Sequence, residues 1–257
     1  MPLIPRLHLF EFIDQPWLPK LLRRGEVDYL RVVLDRMRPY DRVAPQLAEL
    51  LRTAGTDRVV DLCSGSGGPW RTLLPALRAV HGGAEVTLTD LHPVPGQELP
   101  PGVHYRDTPV DATRIPEELT GVRTLFEGLH HFPPEQARAL LADAAARGVP
   151  FAAFELTQRS LPHLLVQCLL IVPLVWGFTL LIRPTQWWRL VLTYLVPILP
   201  LLILWDGVVS SLRTYAPADL EKLTAGLGAD GYRWSSGVHR AQGMVITYLI
   251  GQPGRPL

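Results

Sequence analysis

Residues 59–69, VVDLCSGSGGP, combine residue types that can hold a small polar ligand. Two β-branched residues lead into Asp61, small residues and glycines follow, and a helical-looking segment begins at Trp70. This order predicts a buried strand, a tight turn and the start of a helix. Gly65 and Gly67 lack the Cβ atoms that would block close approach of a ligand to the backbone. An acidic residue at the strand end suits a ligand with ammonium or hydroxyl groups.

A second acidic residue stands at the end of the next predicted strand. Residues 81–83, HGG, predict a stop to the helix, and residues 85–90, EVTLTD, predict a strand that ends in Asp90. An acidic residue at the end of the second strand, about 20 residues beyond a glycine turn, is placed to bond both hydroxyls of a ribose. The spacing therefore predicts a ribose-containing ligand.

Four interpretations of the glycine turn compete with one another. The dinucleotide fingerprint requires a third glycine where the chain has Trp70, and a phosphate-binding P-loop requires a lysine that is missing nearby. The pattern D-x-C-x-G-x-G, from Asp61 to Gly67, instead resembles the first motif of the class I S-adenosylmethionine-dependent methyltransferases. Cys63 stands where that family usually has its first glycine, which is a mild departure. A glycine-rich turn that binds nothing is the remaining alternative.

The resemblance covers about residues 55–160 and resumes at about 214–252. It implies S-adenosyl-L-methionine as the cofactor, and it places an adenine-contacting acidic residue after the third strand, where this chain has Asp111 and Ala112. The residues that we expect to bind the cofactor follow the first three strands: Asp61, Ser64, Gly65, Gly67, Asp90, Leu91, Asp111 and Ala112.

The candidate catalytic residues follow the fourth predicted strand in residues 122–132, VRTLFEGLHHF. In the family that this chain resembles, the loop after the fourth strand borders the transferred methyl group. Histidine is a suitable general base near neutral pH, so we expect His130 or His131 to orient or deprotonate the acceptor. Glu127 is expected near the amino-acid end of the cofactor. Local packing and hydrogen bonding of the two histidines is the alternative.

The remaining patterns predict an α/β fold. Residues 133–148 predict a helix between a proline and a glycine, residues 149–156 a fifth strand, and residues 232–240 and 243–251 two final strands. We expect a seven-stranded, mostly parallel Rossmann-like sheet with an antiparallel last strand, formed by residues 55–160 and 207–257. Residues 1–54 are expected to form an N-terminal helical cap.

The cap and the segment after residue 205 hold the candidate substrate contacts. Helices before the first strand help to close the pocket in the resembling family. We therefore expect substrate contacts at Glu11, Trp17, Asp206 and Tyr215. The alternatives are a packed cap without a ligand role, or a membrane surface around Trp17.

Residues 161–206 predict a hydrophobic helical hairpin inserted after the fifth strand. From residue 161 to residue 182 the only polar side chains are His163, Gln167 and Thr179, and 22 residues can cross a bilayer. A break with two adjacent tryptophans follows, and then a shorter apolar segment with Pro197 and Pro200. Because both flanks belong to one domain, two spans or none are allowed; a hairpin that dips into one leaflet fits the prolines better. Core helices or a dimer interface are the alternative.

Composition restricts the remaining classes. The net charge of +1 and the lack of a basic tract argue against nucleic-acid binding. The two cysteines, Cys63 and Cys168, do not suit a disulfide, and no metal-ligand spacing is present. The first residues lack the pattern of a secretory signal. Only two of the 25 basic residues are lysines, which is typical of a GC-rich bacterial genome.

The resemblance implies a methyltransferase, and together with the apolar hairpin it predicts an enzyme on the cytoplasmic side of a bacterial membrane. It would transfer a methyl group by in-line displacement to a small, lipophilic acceptor, with membrane lipid as a partner and without a metal or nucleic acid. Two alternatives are a catalytically silent, membrane-anchored protein that keeps the cofactor fold and binds a lipid or partner, and an oxidoreductase. The missing third glycine disfavours the oxidoreductase.

Overall fold

The computed structural model describes residues 4–93, 98–228, 231–241 and 243–254. These residues form two compact units. The helical unit comprises residues 4–37 and Thr157–Tyr215, and the sheet unit comprises Arg38–Leu156 and residues 216–254. This division differs from the expected boundaries at residues 54, 160 and 206.

The sheet unit contains seven strands in the order β3-β2-β1-β4-β5-β7-β6. Strands β1 to β5 run parallel to one another, and β7 is antiparallel to both β5 and β6. The Rossmann-like, mostly parallel sheet with an antiparallel last strand is therefore confirmed. The strands are β1 Arg58–Leu62, β2 Glu85–Leu88, β3 Val103–Tyr105, β4 Val122–Phe126, β5 Phe151–Glu155, β6 Tyr232–Ala241 and β7 Met244–Pro253.

Helices connect the strands and build the helical unit. In the described residues they are α1 Lys20–Met37, α2 Ala44–Ala54, α3 Trp70–Arg78, α4 Pro134–Ala146, α5 Leu161–Thr179, α6 Trp187–Leu190, α7 Ile198–Arg213 and α8 Pro217–Thr224. Short 3₁₀ turns lie at Pro39–Val43 and Leu129–His131. Helix α2 ends at Gly55, which adopts the left-handed conformation (φ 61°) that glycine accepts without a steric penalty.

The central strands β4 and β5 lie in the core of the sheet unit. Every residue of β4 and of β5 is buried, as expected for strands covered on both faces. Phe126 and Phe154 stack at 5.3 Å between ring centroids. Tyr40 and Trp70 meet Phe126 edge to face at 4.9 and 5.6 Å. This aromatic cluster packs around the carboxyl ends of β4 and β5, next to the candidate catalytic residues.

In the helical unit, α1 packs against α5 and α7 around a core of apolar side chains, namely Leu18, Tyr29, Val175, Ile182, Leu202 and Ile203. The predicted first arm is confirmed as α5. The second arm differs from expectation, because it does not end at residue 206 but continues in α7 to Arg213. Pro197 caps α7 and Pro200 lies in its first turn, where a missing N–H costs no intrahelical hydrogen bond.

Candidate cofactor and catalytic site

The glycine turn between β1 and α3 adopts left-handed backbone conformations at several positions. Gly65 has φ 50° and Gly67 has φ 105°, which few L-residues with side chains accept. The Gly67 N–H donates to the Ser64 carbonyl at 2.8 Å. Cys63 also has a positive φ, 54°, so a glycine-like conformation is present where the resembling family has glycine.

The carboxylate of Asp61 holds the glycine turn through hydrogen bonds. Its Oδ1 accepts a hydrogen bond from the Thr124 hydroxyl at 2.6 Å, and its Oδ2 accepts one from the Ser64 hydroxyl at 2.7 Å. Burial raises the pKa of this carboxyl to about 6, against the lowering effect of the two hydroxyls. Asp61 therefore ties β1 to β4 and to the turn, and Ser64 is buried with it.

Asp90 is joined to the glycine turn. Its Oδ2 accepts from the Gly65 N–H and its Oδ1 from the His92 N–H, both at 2.8 Å. The Tyr105 hydroxyl donates to the Gly65 carbonyl at 3.0 Å. A carboxylate has about four acceptor positions, so the half-buried Asp90 retains capacity for hydroxyl groups of a ligand.

The segment after β3 lies beside Asp90, because the Val110 N–H donates to the Asp90 carbonyl at 2.9 Å. Asp111 is exposed, and hydrogen bonds from the Thr113 hydroxyl and N–H hold its pKa below the ordinary value. Ala112 is buried, whereas Leu91 is exposed. The structure thus brings the expected cofactor-binding residues together along the carboxyl ends of β1, β2 and β3.

Glu127 directly follows β4 and has a left-handed backbone (φ 49°), which is rare for a residue with a side chain. Its Oε1 accepts hydrogen bonds from the Tyr40 hydroxyl and the Leu156 N–H. Burial, and then the negative charge of Glu155, raise the pKa of Glu127 to about 7. Burial also raises the pKa of Tyr40 well above its ordinary value.

His130 is oriented by a residue that the sequence patterns did not single out. Its Nδ1 lies 2.6 Å from Oε2 of Glu155, and Oε1 of Glu155 accepts from the Leu129 N–H at 2.8 Å. Both side chains are buried. The half-buried His131 stacks obliquely on His130, with 4.3 Å between ring centroids. The available signal for Glu155 was its position as the last residue of β5, where parallel sheets place functional groups.

Glu127, His130 and Glu155 offer three ligand atoms within 4.8 Å of one another, a spacing at which they could hold a metal ion. Their existing hydrogen bonds show whether these atoms are available to a metal. Glu127 already accepts two protein hydrogens. Glu155 accepts hydrogens through both oxygens, one of them from the His130 ring. Metal binding would break these bonds, so the contacts fit proton handling better than metal coordination.

The four predicted substrate contacts lie in the helical unit. Glu11 and Asp206 are buried: Arg213 lies 3.1 Å from Glu11, and Asp206 accepts from the Phe12 and Ile13 N–H groups at 2.7 and 2.8 Å.

Trp17 is 64% exposed. Tyr215 is buried with the Arg6 guanidinium 4.1 Å above its ring. The structure therefore brings Glu11 and Asp206 into one polar network that Ser210 connects, and it leaves Trp17 on the surface.

A cavity of about 750 Å³ lies elsewhere in the sheet unit, at the amino ends of β1 and β2, where Thr56, His81 and Glu85 line it. Ligands of parallel α/β sheets bind at the carboxyl ends of the strands. We therefore place the candidate site at the glycine turn and not in this cavity.

Solved structures share this fold. Human N-acetylserotonin methyltransferase in complex with SAM matches with a TM-score of 0.51 and 12% identity over 97% of this chain; the chain covers 64% of that protein, less than two thirds of its length. The plantazolicin methyltransferase BpumL in complex with SAH has a TM-score of 0.49, 10% identity, and coverage of 91% and 98% of the two chains.

An O-methyltransferase family protein from Burkholderia thailandensis has a TM-score of 0.46 and 17% identity, with coverage of 90% of this chain and 60% of its own. No protein-family model matches the chain, and no curated protein matches it in sequence. The same fold is indicated by the strand order and the glycine turn, and by the match to the human enzyme. The chain therefore has the Rossmann-like fold of the class I S-adenosylmethionine-dependent methyltransferases.

Proposed function

We propose that this chain transfers a methyl group from S-adenosyl-L-methionine to a small, lipophilic acceptor at a membrane. The observation that carries the proposal is the hydrogen bond between the Asp90 carboxylate and the glycine turn at Gly65. At the carboxyl ends of β4 and β5, His130 is bonded to Glu155. A cofactor site and an oriented base thus occupy one edge of the sheet. The human enzyme of the same fold is in complex with SAM, which supports the choice of cofactor.

The cofactor assignment follows the positions of the residues. Gly65 and Gly67 expose backbone to the methionine part, as glycine permits. Asp90 accepts hydrogen bonds from the two ribose hydroxyls. Asp111 and Ala112, which follow β3, lie beside the adenine. Asp61 and Ser64 hold the turn in shape from beneath it, and Leu91 borders the ribose.

Methyl transfer requires little of the protein beyond the alignment of the acceptor with the methyl group. S-adenosyl-L-methionine would supply the methyl group on its sulfonium sulfur; the acceptor atom would attack the methyl carbon as the carbon–sulfur bond breaks, and S-adenosylhomocysteine would leave. Holding the two reactants in line supplies much of the acceleration. In the neutral tautomer that carries its hydrogen on Nδ1, toward Glu155, the basic atom of His130 is Nε2, which would take the acceptor's proton. Glu155 then stabilises the imidazolium. Glu127 and His131 border this position.

The nature of the acceptor is inferred from the helical unit. Its helices α5 and α7 expose many large apolar side chains, among them Leu165, Leu169, Trp176, Leu201 and Trp205. An exposed apolar surface of this extent is typical of a membrane or lipid contact. We therefore place the protein on the cytoplasmic side of a bacterial membrane, with Glu11, Trp17, Asp206 and Tyr215 as the candidate acceptor contacts.

A calorimetric titration with S-adenosylmethionine, S-adenosylhomocysteine and NADH tests the cofactor. We expect binding of the first two and none of NADH. Binding of NADH alone would favour the oxidoreductase alternative. If S-adenosylmethionine binds but no radiolabelled methyl group passes to any component of a bacterial lipid extract, the catalytically silent alternative is favoured.

A further inference from the structure

We propose that the helical unit seats in one leaflet of an anionic membrane and does not cross the bilayer. This inference deepens the proposed function and rests on its membrane association. The occupant of the exposed apolar surface is a leaflet that contains anionic headgroups. Four features of the helical unit carry the argument: its apolar surface, the course of α1, the break in the second arm, and its charge.

The apolar surface extends over α5 and the segment that follows it. Helix α5 is long and apolar enough to cross a membrane, since its 19 residues span about 28 Å. Its outer side chains are uncovered, with Leu169 72% exposed. Trp187 and Leu195 in the second arm are each 77% exposed. Such a surface contacts lipid or another protein.

Helix α1 packs along the hairpin as far as the turn between its two arms. A buried ion pair joins Asp28 of α1 to Arg189, which follows the turn between the two arms. The Tyr29 ring meets Phe178, near the end of α5, at 6.4 Å between centroids. Gly25 packs directly on Leu199 of α7, where an added Cβ would lie 2.6 Å from a methyl carbon. The three contacts fix α1 along the hairpin.

This arrangement opposes two membrane spans. If the turn of the hairpin reached the far side of a bilayer, the middle of α1 would enter the hydrocarbon with it. Helix α1 carries eight charged residues, and Lys20, Arg24 and Arg36 among them are exposed. Exposed charges in the hydrocarbon are strongly unfavourable. An interfacial position, with the charged side of α1 in water or among headgroups, avoids that cost.

The second arm is also unsuited to a straight span. Helix α6 has four residues, a single π turn follows at Val191–Leu195, and α7 begins after a bend of 73°. The Tyr194 hydroxyl donates to the Trp176 carbonyl of α5, which ties the bent segment to the first arm. A bent arm can lie along one leaflet more readily than it can cross both leaflets of the bilayer.

Charge distinguishes an anionic leaflet from a second copy of the chain. The helical unit has ten basic and six acidic side chains, a formal charge of +4, whereas the sheet unit has 14 basic and 18 acidic side chains, a formal charge of −4. Basic residues beside an apolar surface favour anionic lipid. Two copies joined through this surface would bring together two units of the same positive sign.

The lipid preference is tested by binding of the full-length protein to vesicles of phosphatidylcholine with or without phosphatidylglycerol. We expect tighter binding to the anionic vesicles. The double variant Lys20→Gln/Arg24→Gln should bind them about 25-fold more weakly, because each cation near the surface contributes about fivefold. The matched control Lys222→Gln/Arg233→Gln, on the sheet unit, should bind as the wild type does. Equal affinity for both vesicle types would overturn the anionic assignment.

The seating is tested with an added cysteine at the hairpin turn, Thr185→Cys, in a Cys168→Ser background that retains the half-buried Cys63. The Cys168→Ser protein alone gives the baseline of labelling at Cys63. A membrane-impermeant maleimide is sealed inside the vesicles and the protein is added outside. We expect no labelling, as for the control Glu117→Cys on the sheet unit. In detergent, the Thr185→Cys variant should label. Labelling from the lumen would show two spans and overturn the inference, while membrane association would stand.

A third outcome separates this inference from the proposed function. If the protein binds neither vesicle type and is monodisperse as a dimer in detergent-free buffer, the surface is a contact between copies. Both the leaflet seating and the lipophilic acceptor then lose their support. The proposed methyl transfer is judged independently by the titration with S-adenosylmethionine.

Discussion

Nδ1 of His130 lies 2.6 Å from Oε2 of Glu155, and both side chains are buried. The other oxygen of Glu155 accepts the backbone N–H of Leu129, so the carboxylate is fixed from two sides. A carboxylate in this position directs the proton of a neutral imidazole to Nδ1 and leaves Nε2 as the basic atom. The sheet unit therefore fixes the ring of one histidine of the adjacent pair, the one that we propose as the general base.

The first prediction concerns this pair. His130→Ala should lower kcat by about 10²–10⁴-fold, the usual contribution of a general base, while the affinity for S-adenosylmethionine holds. Glu155→Gln should lower kcat by at least about tenfold, because glutamine cannot stabilise the imidazolium by charge. Steady-state kinetics on an identified acceptor, with calorimetry for the cofactor, measure both effects.

His131→Ala is the matched control for that prediction. The half-buried His131 contacts His130 through its ring, but it is His130 whose Nδ1 lies against Glu155. Turnover of this variant should stay within a few-fold of the wild type. If His131→Ala is as impaired as His130→Ala is expected to be, the roles are reversed. If neither substitution matters, alignment of the reactants alone carries the catalysis.

The sheet unit could be predicted largely from the sequence because its signals are local. The β-branched run before Asp61, the glycines after it and the acidic end at Asp90 each specify a conformation or a neighbour along the chain. Glu155 was not identified as the partner of His130, since the two are 25 residues apart and only the pairing of β4 with β5 brings them together. Hydrophobic periodicity carries no information about such a contact.

The helical unit could be predicted less completely for a different reason. The apolar composition of residues 161–205 indicated a hairpin, yet it could not place the bend before Ile198 or the end of α7 at Arg213. Those features depend on tertiary contacts, such as the hydrogen bonds that Asp206 accepts from Phe12 and Ile13. The buried ion pair of Asp28 with Arg189 is equally invisible in sequence patterns, because 161 residues separate the partners.

The second prediction concerns Asp90. Asp90→Ala should weaken S-adenosylmethionine binding by about 1.5–3 kcal/mol, the contribution of hydrogen bonds to a charged group, which is at least about tenfold in affinity. Calorimetry measures the effect. Because Asp90 also accepts the Gly65 N–H, Asp90→Asn is the control: it keeps one acceptor for the turn. Unchanged affinity in the alanine variant would contradict the assignment of Asp90 to the ribose.

The third prediction concerns backbone strain at Cys63, whose φ of 54° lies in the left-handed region. A residue with a side chain pays about 1–2 kcal/mol there, and glycine relieves it at a cost of about 0.5–1 kcal/mol in unfolded-chain entropy. Cys63→Gly should therefore change the free energy of unfolding by no more than about 1 kcal/mol.

The matched variant Cys63→Val should destabilise the protein by about 1–3 kcal/mol, although valine is apolar and of similar size, because a β-branched residue tolerates positive φ poorly. Urea unfolding followed by tryptophan fluorescence compares the two variants. Equal stability of Cys63→Gly and Cys63→Val would show that the position carries no strain.

The last prediction concerns the buried carboxyl of Glu26 in α1. Burial first, and then the negative charges of Asp206 and Glu11, raise its pKa to about 9 against the opposing charge of Arg23. Between about pH 4.5, its ordinary pKa, and pH 9, the folded chain therefore holds a proton that the unfolded chain has lost. Stability must fall as the pH rises through that window.

Glu26→Gln removes this titration while it keeps the shape and the hydrogen-bonding capacity of the side chain. We expect the variant to exceed the wild type in the free energy of unfolding by about 1–3 kcal/mol at pH 8, and the difference to vanish near pH 4.5. The control Glu11→Gln makes the same change of charge beside Arg213, its ion-pair partner at 3.1 Å, and should destabilise the protein. Urea unfolding at both pH values decides the matter: a Glu26→Gln variant that is no more stable at pH 8 would mean that Glu26 is ionised in the folded protein.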